Sequence, residues 1–248
     1  MPDMMKQSIF TILTNEALTP SVYRMTLSGD TSAITAPGQF VNIRLAGKFL
    51  RRPISVCDWE DGMLTLVYKM VGHGTAQMAA MTRGESLDIL TGLGNGYDLT
   101  LTGEHPVLVG GGVGVPPMFG LAKRLRAMGK EVQVILGFNT REEIFYEEEF
   151  KALGCTVYVT TVDGSYGIPG FVTDALKNLS YSLFCACGPE PMLKALYKAS
   201  HTSGQMSFEE RMGCGFGACM GCSCKTLTGS KRICKDGPVM KKEEILWD

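Results

Sequence analysis

Cys214-Gly-Phe-Gly-Ala-Cys219-Met-Gly-Cys222, followed after eleven further residues by Cys234, is the stretch on which the reading of this chain turns. Four residues separate the first two thiols and two separate the next pair, the C-x4-C-x2-C…C spacing of a plant-type [2Fe–2S] site. A two-iron cluster needs four thiolates, and three of them here come from one short loop. Gly213, Gly215, Gly217 and Gly221 let that loop turn through positive φ and bring backbone N–H groups close to sulfur. Such contacts help set a cluster's reduction potential. Cys219-x2-Cys222 alone would also suit zinc, with Cys224 as a spare thiol, but zinc ribbons usually pair two such units and only one is present. A disulfide framework fits poorly with nine cysteines, an odd number, in a long chain. Cys214, Cys219, Cys222 and Cys234 are therefore the expected ligands, with Cys224 the substitute should one of them fail.

Residues 1–203 divide by rhythm into two parts. Residues 1–100 read as short strands at Ser8–Leu13, Val22–Leu27, Phe40–Leu45, Ile54–Asp58, Met63–Val71 and Ser86–Leu90, with one short helix at Thr75–Met81. That spacing predicts a small six-stranded antiparallel β-barrel. Residues 101–203 alternate: strands at Pro106–Val109, Val132–Gly137, Thr156–Thr161 and Leu183–Cys187, helices at Pro116–Met128, Arg141–Leu153, Val172–Leu179 and Pro191–Ala199. Strict alternation predicts a doubly wound parallel sheet with helices on both faces, and so a multidomain α/β chain. Residues 204–248 form the third, cysteine-rich region.

Each part carries a candidate anion site. The first strand of the second part runs into Gly110-Gly-Gly-Val-Gly114-Val-Pro-Pro117, a turn whose Gly111, Gly112 and Gly114 permit close approach to a pyrophosphate at a helix N-terminus. It is not the G-x-G-x-x-G fingerprint, and tight strand-to-helix packing alone would also explain it. Cys187-Gly188-Pro-Glu-Pro-Met192 ends the last strand and faces the same crevice, so Cys187 and Gly188 are candidates for a nicotinamide pocket, with a buried thiol acting as a small hydrophobe the alternative for Cys187. Cys57, Cys155 and Cys185 read as buried thiols acting as small hydrophobes. In the barrel, Arg51-Arg52-Pro53-Ile54-Ser55 brings a guanidinium and a hydroxyl together. Gly72-His-Gly74-Thr75 opens a helix that could take a second phosphate. Two phosphate sites imply FAD rather than FMN; ordinary turns and a solvated arginine pair are the alternative.

Chemistry ties the parts together. A nicotinamide delivers a hydride, a [2Fe–2S] cluster takes one electron at a time, and a flavin converts between the two. A nicotinamide site and a cluster in one chain therefore predict a flavin between them.

Arg52-Pro53-Ile54-Ser55 resembles the flavin motif of the ferredoxin–NADP reductase superfamily. Gly72–Thr75 resembles its pyrophosphate turn, and Gly110–Pro117 with Cys187–Met192 its pyridine-nucleotide half. Within it, Glu210–Cys222 and Cys234-Lys-Asp-Gly-Pro-Val239 resemble the electron-transfer subunits of class 1B dihydroorotate dehydrogenase. The resemblance covers essentially the whole chain. It implies an FAD barrel, an NAD domain and a cluster loop. Arg52, Gly74 and Thr75 would bind the FAD phosphates, Ser55 the flavin ring, and Val67, Tyr68 and Lys69 would line the flavin. It also implies a separate FMN-containing catalytic subunit, in a heterotetramer with two copies of each, working on dihydroorotate and orotate in pyrimidine synthesis. Gly92 stands where relatives often carry proline, which affects only a turn; Asn139 stands where many reductases place an arginine for a 2′-phosphate, which favours NADH. Asp163-Gly-Ser165 suits either a cofactor ribose or a capped turn.

The formal net charge of −1 gives no basic footprint for nucleic acid. No apolar run approaches a membrane span, the first residues lack a signal-peptide shape, and free thiols suit a reducing cytoplasm. The 15 methionines read as core filler. No acid–base pair stands out for orotate chemistry and no room remains for a second barrel, so the chain reads as an electron-transfer subunit. The alternatives are a reductase subunit of another NAD(P)H flavin/iron–sulfur complex and a zinc-knuckle redox sensor. Trp247 suits either a partner anchor or packing on its own chain.

Overall fold

The computed structural model describes residues 5–247; the expectation drawn from the first residues, Met1 to Met4, lies outside them. Strands β1 (Lys6–Ala17), β2 (Val22–Ser28), β3 (Phe40–Arg44), β4 (Arg52–Glu60), β5 (Met63–Lys69) and β6 (Ser86–Leu93) close in the order β1-β2-β5-β4-β3-β6. Every neighbouring pair is antiparallel, so the expected barrel is present. Phe10, Ile12, Met25, Leu27, Val41, Ile43, Leu64, Leu66 and Ile89 fill its interior. Closure leaves no open strand edge. Helix α1 (His73–Ala79) buries Met78 in this core. β1 runs well beyond the expected Ser8–Leu13 because its polar ends still find ladder partners on β2 and β6.

The second layer set is a seven-stranded sheet. Strands β7 (Val107–Gly111), β8 (Gln133–Phe138), β9 (Thr156–Thr161), β10 (Ile168–Pro169), β11 (Phe184–Cys187) and β12 (Gly204–Ser207) are parallel. A hairpin of β13 (Ser223–Thr226) and β14 (Gly229–Arg232) follows, and β15 (Val239–Lys241) returns antiparallel to β12. The order is β10-β9-β8-β7-β11-β12-β15. The wholly parallel sheet of the sequence reading thus gains one antiparallel edge, and the cysteine-rich region contributes strands to the same sheet.

Helices α2 (Val115–Ala127), α3 (Glu147–Ala152), α4 (Val172–Leu176) and α5 (Glu190–Ala199) cover the sheet. The single helix expected over Arg141–Leu153 is broken. A 3₁₀ turn at Arg141–Glu143 leads into extended Ile144, and Tyr146 takes φ 69° before α3 begins. That break turns Phe145 and Tyr146 inward, where their rings meet edge to face at 6.0 Å. Gly92 is also more than a turn residue: at φ 69° it lies inside β6, where the pairing with β3 shifts register, a backbone that proline cannot adopt.

Barrel and sheet are locked through α2. Lys123 Nζ binds Asp58 Oδ2 at 2.6 Å and Glu60 Oε1 at 2.7 Å, and the Arg124 guanidinium lies 3.4 Å from the Trp59 ring centroid. Gly120 lets α2 press on the Cys57 carbonyl, which a Cβ would overlap. The C-terminal region packs on both: Phe40 and Leu93 of the barrel, Val107 and Phe184 of the sheet, and Cys222, Ile233 and Cys234 share one apolar core. Trp247 packs on its own chain, with ring centroids 5.3 Å from Tyr197 and 5.6 Å from Phe208.

Candidate functional site

Two cavities and the thiol loop meet at the junction of barrel and sheet. The first cavity, about 360 Å³, is lined from β4 by Arg52, Pro53, Ile54 and Ser55, and from β5 by Val67, Tyr68 and Lys69. Thr75 of α1 completes this wall, so of the barrel residues expected to contact FAD all but Gly74 line it, whereas Arg51 turns away to Asp88. Gly74 acts from beneath. The Arg52 guanidinium rests directly on it, where any Cβ would overlap Nε. Arg52 Nη1 is pinned by the Leu50 carbonyl at 2.6 Å. Thr75 Oγ1 accepts from the N–H groups of Val71 (2.9 Å) and Gly72 (3.2 Å), ordering the turn before α1. Tyr68 donates to Asn15 Oδ1 at 2.9 Å, and burial pushes its phenol up to about 12, so it stays a neutral wall. A guanidinium seated over a bare glycine beside a capped turn is a cradle that fits a flavin dinucleotide.

The second cavity, about 630 Å³, opens at the carboxyl ends of the parallel strands. Gly111, Gly112 and Gly114 line it, and so do Gly188, Asn139, Thr160 and Val172. Gly112 takes φ 52°, and a Cβ on Gly114 would overlap the Cys187 carbonyl, so α2 can begin against the end of β11 only because that residue is glycine. Cys187 itself is 1 % exposed and lies behind Gly188; desolvation pushes its thiol up to about 12. Cys57, Cys155 and Cys185 are buried as expected. Asn139 donates from Nδ2 to Glu143 Oε2 at 2.8 Å, which places a carboxylate rather than a cation beside the residue read as favouring NADH. Asp163 forms the capped turn, accepting from Ser165 N–H at 3.0 Å and Ser165 Oγ at 2.6 Å.

Lys69, already expected at the flavin, lines both cavities together with Val113 and Glu209, which sequence reasoning missed, and the three form the shared boundary. Glu209 follows β12 in a segment with no motif of its own; it is exposed at the cavity rim, and desolvation by the walls beside it raises its carboxyl pKa. Thr160 Oγ1 is buried without a partner in the wall of the larger cavity; its place at a strand's carboxyl end was the available signal. Phe40 and Met212 line the flavin-sized cavity and also pack in the core that holds Cys222 and Cys234.

The four thiols stand as two pairs. Cys214 Sγ accepts from Ala218 N–H (3.2 Å) and Cys219 N–H (3.4 Å), and Cys219 Sγ accepts from Cys214 N–H (3.5 Å). Cys222 Sγ accepts from Cys234 N–H at 3.4 Å. Desolvation works to raise Cys214, but backbone N–H donors hold it down to about 6; desolvation and the adjoining Cys222 push Cys234 up to about 12. Among the described residues, no group of three or more such side chains is gathered as for one metal ion. Two pairs suit a cluster of two irons, with N–H donors aimed at sulfur, better than a single tetrahedral zinc. Cys224 is half-buried on β13, paired across the hairpin with Lys231, and burial raises its thiol.

The fold and these sites define the chain as an NAD-linked flavin and iron–sulfur oxidoreductase subunit. Comparison with known proteins agrees. Residues 108–198 match the oxidoreductase NAD-binding domain, and residues 209–246 the iron–sulfur cluster binding domain of dihydroorotate dehydrogenase B. The electron transfer subunit of dihydroorotate dehydrogenase B (NAD(+)) from Geobacillus sp. (strain WCH70) is 44% identical, over 98% of this chain and 100% of that one. That of Fusobacterium nucleatum is 44% identical over 97% and 99%. A solved NADH-dependent reduced ferredoxin–NADP oxidoreductase superposes with TM-score 0.86 at 30% identity, covering 96% of this chain and 90% of its own. The chain belongs to the family of dihydroorotate dehydrogenase B (NAD(+)) electron transfer subunits.

Proposed function

We propose that this chain carries electrons between NAD(H) and an FMN-containing dihydroorotate dehydrogenase catalytic subunit, through FAD and a [2Fe–2S] cluster, in pyrimidine synthesis. The working unit is a cytoplasmic heterotetramer with two copies of each subunit. Residues 1–100 hold FAD, 101–203 NAD(H) and 204–248 the cluster, with β12 and β15 of the last segment joining the sheet of the second. The observation that carries this reading is the sharing of walls. Lys69, Val113 and Glu209 separate the two cavities, and Phe40 with Met212 stand between the smaller one and the core around Cys222 and Cys234.

The residues divide the work accordingly. Gly111, Gly112, Gly114 and Gly188 leave backbone room for the nicotinamide cofactor, and Cys187 backs them as a neutral, buried thiol. Arg52, Gly74 and Thr75 take the FAD phosphates; Pro53, Ile54, Ser55, Val67, Tyr68 and Lys69 flank the ring. Bound flavin supplies the conversion between hydride and single electrons. Phe40 and Met212 keep water out of the gap toward the cluster. Cys214, Cys219, Cys222 and Cys234 ligate the iron.

A tagged pull-down from the native host, assayed for NADH-driven reduction of orotate, tests this. One co-purifying FMN protein with that activity is the expected result. A flavin- and iron-bearing chain without it would move the function to another electron acceptor, and a colourless, zinc-containing chain would remove the redox reading altogether.

A further inference from the structure

Asn42 is the one barrel side chain hydrogen-bonded to the thiol loop, among the described residues. It sits in β3, 1 % exposed, two residues from Phe40. Its Nδ2 donates to the Cys214 carbonyl at 3.1 Å across 172 residues of sequence. Its own carbonyl accepts from Arg51 Nη1 at 3.2 Å, and Arg51 Nη2 is held by Asp88 Oδ1 at 2.9 Å, so the side chain projects from a braced strand. Gly215, at φ 80°, lies against the amide so closely that a Cβ would overlap Nδ2.

The other end of the amide is an anomaly. Asn42 Oδ1 is buried and has no partner. Flipping the amide would set oxygen against the Cys214 carbonyl, so the orientation is fixed by that bond. A buried unpaired acceptor is unfavourable, and an apolar side chain of the same size would avoid it. The amide is therefore best explained by what its N–H end does.

We infer that Asn42 is a positioning residue for the cluster: by holding the Cys214 carbonyl it fixes the planar peptide linking Cys214 to Gly215, and so anchors the loop whose neighbouring N–H donors reach sulfur. The peptide plane moves as one unit. Cys214 N–H reaches Cys219 Sγ, and Ala218 and Cys219 N–H reach Cys214 Sγ, all within the loop that Asn42 tethers. Donors to sulfur favour the reduced, more negative cluster. Loosening the tether therefore lowers the cluster's midpoint potential while leaving the flavin side unchanged. The inference rests on the cluster reading proposed above.

The test is a redox titration of the full FAD- and iron-loaded chain, followed by electron paramagnetic resonance. Asn42→Leu keeps the volume and removes the donor; Asn42→Ala removes it with a smaller side chain. Ile43→Val, a fully buried change in the barrel core, is the control for mere loosening. The expected result is a fall in cluster potential and an altered resonance in both Asn42 variants, with flavin content and NADH-driven flavin reduction as in the parent and no shift in Ile43→Val. Loss of iron from both Asn42 variants but not from Ile43→Val would equally support the tether. Parental potential and resonance in both variants would overturn it. No iron–sulfur resonance in the parent chain would overturn the cluster reading itself, before any variant is compared.

Discussion

The two thiol pairs, three thiols from one short loop and the fourth from Cys234 beyond the β13–β14 hairpin, occupy opposite surroundings. Cys214 and Cys219 lie at the surface, beside exposed Phe216 and Met220, and take three backbone N–H donors. Cys222 and Cys234 are 2 % exposed, take one, and are packed with Phe40, Ile233 and Met212. The outer pair is polar and open; the inner pair is dry and continuous with the wall of the flavin-sized cavity. If the four thiols hold the cluster as proposed, the difference would give the relay a direction in space, the buried pair facing the flavin-sized cavity and the exposed pair facing an external acceptor.

Removing a ligand breaks the comparison most severely. Cys219→Ser should leave NADH-driven flavin reduction largely intact and abolish electron delivery to the partner, read by stopped-flow absorbance and an orotate assay. Unchanged delivery would sink the relay. Truncating the inner wall comes next. Phe40→Ala removes a 3 % exposed ring and should cost about 3–5 kcal/mol of stability. Phe216→Ala, 44 % exposed on the outer side, should stay within about 0.5 kcal/mol. Denaturant unfolding of both variants checks the contrast, and equal effects would show that the loop has no dry side.

The backbone of the loop offers a finer cut. Gly215→Ala places a Cβ at φ 80° against Asn42 and should cost about 1–3 kcal/mol. At Gly221 a Cβ would meet Cys219 Sγ at 3.5 Å, an ordinary contact, so Gly221→Ala should be tolerated and keep its iron. Iron content and unfolding midpoints distinguish the two sites.

The sequence carried the parts of this arrangement that depend on spacing. Four thiols, alternating strand and helix, and Arg52 to Ser55 are local patterns: the thiols stand as two pairs, the alternation holds except where the helix expected over Arg141–Leu153 breaks, and Arg52 to Ser55 line the smaller cavity. What it did not carry depends on long-range packing. Nothing near Asn42 in sequence announces a bond to Cys214, because the two meet only when β3 pairs between β4 and β6. Glu209 and Met212 are ordinary residues until β12 brings them to the cavity rim. The break at Tyr146 is invisible to a helical period that Glu147–Phe150 continues in good register. Short edge strands such as β15 bury too few residues to show an alternation.

Glu209 gives the smallest effect and tests how far the dry side reaches. Glu209 is an exposed residue at the cavity rim, and desolvation by the walls there raises its carboxyl above the ordinary 4.5, so the folded chain binds that proton somewhat more tightly than the unfolded one. The sign follows. Stability falls as pH rises from 4.5 through the raised value, the penalty is fully present above it, and it vanishes below 4.5. Glu209→Gln removes the charge without changing shape. The variant should therefore unfold at a slightly higher temperature than the parent at pH 7, and the gap should close toward pH 4. A gap that is absent at pH 7, or that widens on acidification, would show that Glu209 is solvated like any surface carboxylate, and that the dry wall ends at Met212 rather than reaching the boundary between the two cavities.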